Sequence, residues 1–306
     1  MATTSIHQSS GPSPSQSPLE RLAGLVRVQG AGTNVPLLAS VLVYAALTVT
    51  ALIVAVPFIW MVSTSLKPLA EVFVLTQIVP SELRFENYVK AWNAAPFGRY
   101  LFNSTFTALA ILVLQFATII PAAYGFARLR FPGRDVLFMV VLATMMVPVQ
   151  VTFIPAFVTI STFGWKDTYA ALIVPFATSG FGIFLLRQAF LQVHQDFLDA
   201  ARLDGCSHLG IMRHVMVPQN MPTLITFGLF SFVAHYNDLF WPLIVTESER
   251  MRTITLGVRS FVEFEGATRW NELMAACVFS MLPLIVLFLC TQRFFIKGVA
   301  SSGLKG

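Results

Sequence analysis

Charge is scarce in this sequence. Asp, Glu, Lys and Arg make up 11% of its 306 residues, against about 25% in an ordinary soluble domain. That excludes a globular enzyme with a charged surface. There is no G-x-x-x-x-G-K-[ST], so the chain cannot cradle ATP itself. No H-E-x-x-H and no C-x-x-C occur. His194, His208 and His214 lie close together, but nothing else about them resembles a metal site. No catalytic residue and no metal ligand is therefore assigned. The only cysteines, Cys206, Cys277 and Cys290, match no zinc spacing and read as small buried hydrophobes. No run of like charges points to nucleic acid. The chain of intramembrane acids that a proton-coupled carrier needs is also missing.

Apolar residues fill the space. They make up 56% of the chain, with 28 phenylalanines, and the mean hydropathy is +0.71. The expected class is an all-α integral membrane protein, in contact with membrane lipid. Six runs reach or approach the ~20 residues a bilayer-spanning helix needs: 37–62, 100–127, 136–160, 169–186, 223–245 and 273–292. Residues 1–36, rich in Ser, Pro, Gln and Gly, are expected to be a disordered tail without a secretory signature. Residues 37–306 are expected to form one six-helix membrane domain. Two polar connections are long, one with Tyr88 and Trp92 and the other spanning 246–272.

Lysine and arginine set the expected orientation. With the tail inside, the inner side holds Arg21, Arg27, Arg128, Arg130, Arg134, Arg187, Arg202, Arg213, Arg293, Lys297 and Lys305. The outer basic residues lie in the two long loops, except Lys166. Short loops carry the topological signal, so both termini are expected to be cytoplasmic. Prolines punctuate the runs at positions 57, 121, 148, 155, 175, 242 and 283. Each is expected to kink its helix. In lipid such kinks survive where neighbours or a wet cavity satisfy the freed carbonyls. Pro148 and Pro155 bracket Gln150, a polar group in an apolar setting.

The longest polar interruption in the second half, 196–222, reads as two short helices. The stretch Asp199-Ala200-Ala201-Arg202-Leu203 favours helix. Gly205 stands where a left-handed cap would end it. Ser207 can cap a second helix, with Pro218 and Pro222 closing it and starting the next span. Leu209, Met212 and Val215 give that helix an apolar face. A polar knob with one apolar face is suited to being pushed by a partner. Asp238, beside Tyr236, Asn237 and Trp241, is the one acid near an apolar run. It is expected to face a cavity, a partner or the outer interface.

Asp199-Ala200-Ala201-x-x-Asp204-Gly205, followed by Met212, Val215 and Pro218, resembles the EAA loop of bacterial ABC importer permeases. The resemblance extends to Met146-Val147-Pro148-Val149-Gln150, to Ile154-Pro155, and to the run from Phe163 to Tyr169. It also takes in Tyr236-Asn237-Asp238, Trp241-Pro242-Leu243, Leu273-Met274-Ala275-Ala276 and the ending Gln292-Arg293-Phe294-Phe295 with Gly303-Leu304-Lys305-Gly306. The likeness is to the second permease subunit of maltose-type carbohydrate importers. Asp199 replaces the family's glutamate and Met212 its aromatic residue.

The resemblance implies a half-channel without a bound cofactor. It would pair with a homologous permease, two ATP-binding subunits that hold ATP and Mg, and an extracytoplasmic solute-binding protein. The coupling loop would be 194–222, with Asp199, Ala200, Ala201, Asp204, Gly205, Leu209, Met212, Val215 and Pro218 as contact or shaping residues. The outer loop near 246–270 would touch the binding protein. Gln150, Tyr236, Asn237 and Asp238 together offer donors, acceptors and an aromatic face suited to a sugar. Alternatives are the same architecture importing glycerol 3-phosphate or a polyol, or a secondary carrier working without ATP.

Overall fold

The computed structural model describes residues 37–74, 77–259, 261–262 and 269–302. The expected tail, 1–36, lies outside the described residues, as do Arg21, Arg27 and Lys305. Two units are distinguished, Met1–Trp60 and Met61–Gly306. Most of helix α1, Leu37–Ser65, belongs to the first. Its apolar side chains point all round the axis, with Tyr44, Leu47, Ile53 and Phe58 exposed. A helix hydrophobic on every face belongs in lipid or inside an assembly.

The second unit begins with a polar connection that includes α2, Glu86–Ala94. Helix α3, Phe97–Arg128, follows, then α4, Arg134–Thr144, and α5, Val149–Thr162. The short α6, Tyr169–Ile173, leads through a 3-10 turn, Val174–Phe176, into α7, Gly180–Leu191. Next come α8, Gln195–Leu203, and α9, His208–Ile211. Helix α10, Met221–Tyr236, is followed by α11, Phe240–Val245, α12, Ile254–Arg259, and α13, Trp270–Ser302. No strand occurs among the described residues.

The membrane spans follow the apolar runs in part. Among the described residues, three helices are long and apolar enough to cross a membrane, within α1, α3 and α13. The run 136–160 is not one straight span. It breaks between α4 and α5 with a 96° bend. Pro148 caps α5 from outside, because it has no N–H to donate within a helix. The run 169–186 bends by 42° between the α6 segment and α7. The expected fifth span, 223–245, is also broken. Helix α10 has 16 residues, or ~24 Å of rise, and the chain restarts as α11 after Asn237–Leu239. Pro57, Pro121, Pro155 and Pro283, by contrast, sit inside continuous helices.

Three apolar clusters hold the second unit. One joins Ile119 and Tyr124 of α3 to Leu186 and Phe190 of α7, and to Leu198, Ile211 and Met216 of the polar knob. A second joins Phe97 and Tyr100 of α3 to Phe232 and Tyr236 of α10 and to Ala275 and Ala276 of α13. The third gathers Ile160, Leu172 and Trp241 around α5, α6 and α11. Helix α3 is thus the post common to the first two. Gly182 lets α7 approach it: a Cβ there would lie 2.7 Å from the Phe227 ring and 3.0 Å from Ile119. The cysteines depart from expectation at one position. Cys206 and Cys277 are half-buried, but Cys290 is exposed.

Candidate functional site

The knob is built from a helix stop and a helix start. Helix α8 buries Leu198 and Ala201 and turns Asp199 and Ala200 outward. The Asp199 carboxylate accepts from the Arg202 guanidinium at 2.8 Å and the Gln195 amide at 3.0 Å. Asp204 is the C-cap, and Gly205 follows at φ +79°. The Gly205 N–H donates to the Arg202 carbonyl and the Cys206 N–H to the Ala201 carbonyl. That pair of bonds is a Schellman closure, which needs the left-handed residue that glycine supplies without strain. Ser207 Oγ then accepts from the Gly210 N–H at 3.3 Å and starts α9.

After one turn the helix widens. Met212–Met216 form a π turn, followed by an α turn at Val217–Gln219 that contains Pro218. The π turn adds about one residue per turn and shifts the face that follows. Leu209, Met212 and Val215 do not share the outward face expected of them. Met212 and Val215 are half-buried against the chain's own core, beside Ile211 and Met216. Leu209 stays 71% exposed. Its exposed apolar companions in the knob are Leu203 at 90% and Phe197 at 56%, both from α8.

The knob is tied to the bundle at named points. The Arg128 guanidinium, at the end of α3, donates to the carbonyls of Phe190, at 2.6 Å, and Val193. It thereby caps the C-terminus of α7. The Tyr124 hydroxyl, in α3, is hydrogen-bonded to His208 Nδ1 at 2.9 Å. The Asn220 amide donates to the Met216 carbonyl at 2.8 Å. Tyr124→Phe removes one such bond, worth ~0.5–1.5 kcal/mol. Amide exchange over residues 207–211 is expected to speed up by about 2- to 10-fold, with the rest of α3 unchanged. Hydrogen-exchange mass spectrometry reads this.

The four polar residues expected to meet in a cavity are not brought to one. Gln150 is exposed on the first turn of α5. Tyr236 is 1% exposed, stacks on Phe232 and donates its hydroxyl to the Ser280 carbonyl at 2.8 Å. Asn237 is exposed in the break after α10. Asp238 Oδ1 accepts from the N–H groups of Phe240, at 3.0 Å, and Trp241, at 3.4 Å. It caps α11 from outside, and its own carbonyl accepts from Thr255 Oγ1.

A cleft of about 510 Å³ lies elsewhere, between α5, the Val174–Phe176 turn and Trp241. Val149, Thr152, Phe153, Ala156 and Ile160 line it from one face of α5. Their spacing of three and four was visible in the sequence; its partners across the cleft were not. A polar network behind it, centred on the buried Gln115 and Ser231, also escaped the sequence reading. Gln115 Nε2 donates to the Phe176 carbonyl at 3.0 Å, and Thr118 Oγ1 to the Ala177 carbonyl at 2.9 Å. Ser231 Oγ donates to Gln115 Oε1, and His235 Nε2 lies 3.3 Å from Gln115 Nε2. Gln115 and Thr118 thereby satisfy carbonyls at the 42° break between the Val174–Phe176 turn and α7, as a break within a span requires.

The loop after α11 is pinned down. Of its residues, Ser260 and 263–268 lie outside the described residues. The Asn103 amide donates to the Arg250 and Arg252 carbonyls, and the Tyr169 hydroxyl donates to Asn103 Oδ1 at 2.6 Å. Asp167, at φ +57°, accepts from the N–H groups of Glu247 and Ser248, each at 3.0 Å. Burial pushes the Asp167 carboxyl up, but the bonds from Ser248 and Glu247 outweigh it and hold the pKa below the usual value. Because the folded pKa is depressed, this anchor is present above the ordinary carboxylate range. It is lost as pH falls through the lowered value. At Gly257 a Cβ would meet the ring of Tyr100, itself 1% exposed, at 2.3 Å. Gly257→Ala is expected to displace α12 and cost ~1–3 kcal/mol, read as a lower midpoint in thermal unfolding.

Comparison with known proteins gives concordant matches. Residues 117–301 match the family model described as binding-protein-dependent transport system inner membrane component. The probable ABC transporter permease protein YurM of Bacillus subtilis is 34% identical over 256 residues, 83% of this chain and 84% of that protein. The arabinooligosaccharides transport system permease protein AraQ of Bacillus subtilis is also 34% identical, over 82% of this chain and 90% of that one. The sn-glycerol-3-phosphate transport system permease protein UgpE of Yersinia enterocolitica is 32% identical, over 74% and 83%. Among solved structures, a chain of a bacterial ABC transporter involved in import of the acidic polysaccharide alginate superposes with a TM-score of 0.73. It has 24% identity and covers 92% of this chain and 100% of that one.

Proposed function

We propose that this chain, which belongs to the binding-protein-dependent transport system inner membrane component family, forms half of the translocation path for a sugar or oligosaccharide. Members of the family are transport components of the membrane, not enzymes, and membership sets aside a secondary carrier. The other half would come from a homologous permease. Two partner subunits would bind and hydrolyse ATP with Mg, and an extracytoplasmic binding protein would deliver the solute. In this reading the chain crosses the bacterial inner membrane several times with both termini in the cytoplasm, so that the knob at 194–222 faces the ATPases.

One observation carries the coupling role. The knob is seated on the chain's own core through Leu198, Ile211 and Met216, while Leu203 and Leu209 remain exposed. A rigid base with a protruding apolar tip can transmit a push. Burying such a tip on a partner contributes ~1.5–3 kcal/mol per leucine. ATP-driven movement of the partner would then displace the knob. The bends at the α4–α5 and α6–α7 breaks are places where the spans can rearrange.

The test is uptake into vesicles holding all the subunits. ATP-dependent accumulation of a neutral oligosaccharide that requires the binding protein supports the reading; full uptake without the ATPases overturns it. A second reading, import of glycerol 3-phosphate or a polyol, is favoured by the likeness to UgpE. A direct binding assay on the partner binding protein separates the two.

A further inference from the structure

We infer that the aromatic cleft between α5, the Val174–Phe176 turn and Trp241 is a subsite for an uncharged sugar ring, and that it disfavours phosphorylated and uronic solutes. This rests on the importer reading above and adds to it the solute class. The first ground is where the cleft lies. Three interruptions border it: Pro148 at the start of α5, the Val174–Phe176 turn, and the Asn237–Leu239 break that precedes Trp241. There the chain departs from straight helix, and the broken segments leave a concavity of the size of a small-molecule site between them.

The second ground is the lining. Phe153, Phe163, Trp165 and Phe176 present ring surface, with the buried Trp241 as floor. The Trp241 indole N–H is fixed on the Ala171 carbonyl at 2.9 Å, which holds its plane. Phe163 and Trp165 are paired with centroids 5.2 Å apart. The C–H face of a pyranose or furanose packs on such rings, as apolar surface does generally. Thr152 and Thr159 spend their hydrogens on the Val149 and Pro155 carbonyls, at 2.7 and 2.8 Å. Their oxygens are left to accept from sugar hydroxyls. The volume, about 510 Å³, falls in the ~300–1,000 Å³ range of small-molecule sites.

The third ground is charge. Among the described residues, none that lines the cleft is ionisable. Lys166, beyond its mouth, is paired with Glu247. His235 packs tilted behind Phe176, with ring centroids 5.0 Å apart, and faces Gln115. A phosphate or carboxylate entering here would lose water without gaining a cation.

The test uses the assembled transporter in nanodiscs without its binding protein. Tryptophan emission is followed as arabinotriose, maltotriose or sn-glycerol 3-phosphate is added. The expected result is saturable quenching by a neutral trisaccharide and none by glycerol phosphate at equal concentration. Trp165→Phe should reduce the signal to the part reported by Trp241. Phe163→Ala, a change at a residue 62% exposed that leaves the core intact, should weaken the apparent affinity about 10-fold. Thr152→Val, nearly isosteric, should weaken it less. No quenching by either neutral sugar, equal quenching by glycerol phosphate, or an unchanged affinity in Phe163→Ala overturns the proposal. ATP-driven uptake is measured in parallel on the same preparation with the binding protein restored. Uptake that persists while the cleft variants bind normally refutes the subsite alone, whereas uptake independent of ATP refutes the importer reading.

Discussion

Gly205→Pro abolishes ATP-driven uptake while the chain still assembles in the membrane. Gly205 sits at φ +79°, and proline is locked near −65°. The N–H it donates to the Arg202 carbonyl is also lost. The Schellman closure cannot form, so α8 and α9 no longer meet at a fixed angle. A cost of ~3 kcal/mol or more depopulates the native knob by at least about 100-fold. Gly205→Ala gives a graded control. A left-handed alanine costs ~1–2 kcal/mol, so uptake falls about 30-fold or less. Nothing else in the chain lies within 4 Å of the added Cβ, so the loss comes from the local backbone conformation and not from a clash with neighbouring side chains. Uptake and ATPase activity are compared on complexes shown by co-purification to be complete. Normal uptake by the proline variant would refute a shaped knob as the coupling element.

The double substitution Leu203→Glu and Leu209→Glu detaches the ATPase subunits. Both side chains project outward, so charging them leaves this chain's packing alone. If both are buried at a partner surface, removing them and placing two charges there weakens association by at least about 100-fold. Met212→Lys separates docking from folding. Met212 is half-buried against the cluster that holds Ile211 and Met216. Its replacement is expected to lower the thermal stability of the permease, while the double glutamate variant unfolds at the unaltered temperature. Retention of the ATPases by the double variant would show that the exposed leucines are not a docking tip.

What the sequence could show was local. The apolar runs located α1, α3 and α13 closely, since length and hydropathy decide those helices. Gly205 and Ser207 marked the helix stop and start because each needs only its neighbours in sequence. The misreadings came from geometry that periodicity does not carry. A π turn at Met212–Met216 shifted Val215 relative to the face of Leu209, and Met212 packs half-buried beside Ile211 and Met216. Asp238 turned out to cap α11 and Tyr236 to pack beside α13. The third and fifth runs are equally apolar on both sides of their breaks, so hydropathy alone does not reveal the bends. The network of Gln115 with Ser231 and His235 joins residues more than a hundred positions apart. Each looks like an isolated polar residue in an apolar run until α3 and α10 are packed together.

Incorporating a photoreactive benzophenone amino acid at position 209 tests the central claim most directly. The complete transporter is irradiated in membranes and the adduct identified by mass spectrometry. A covalent product between position 209 and an ATP-binding subunit, lost when Gly205→Pro is added, is the expected result. An adduct with the solute-binding protein, or none with the ATPase in an intact complex, would place the knob away from the motor and contradict the account.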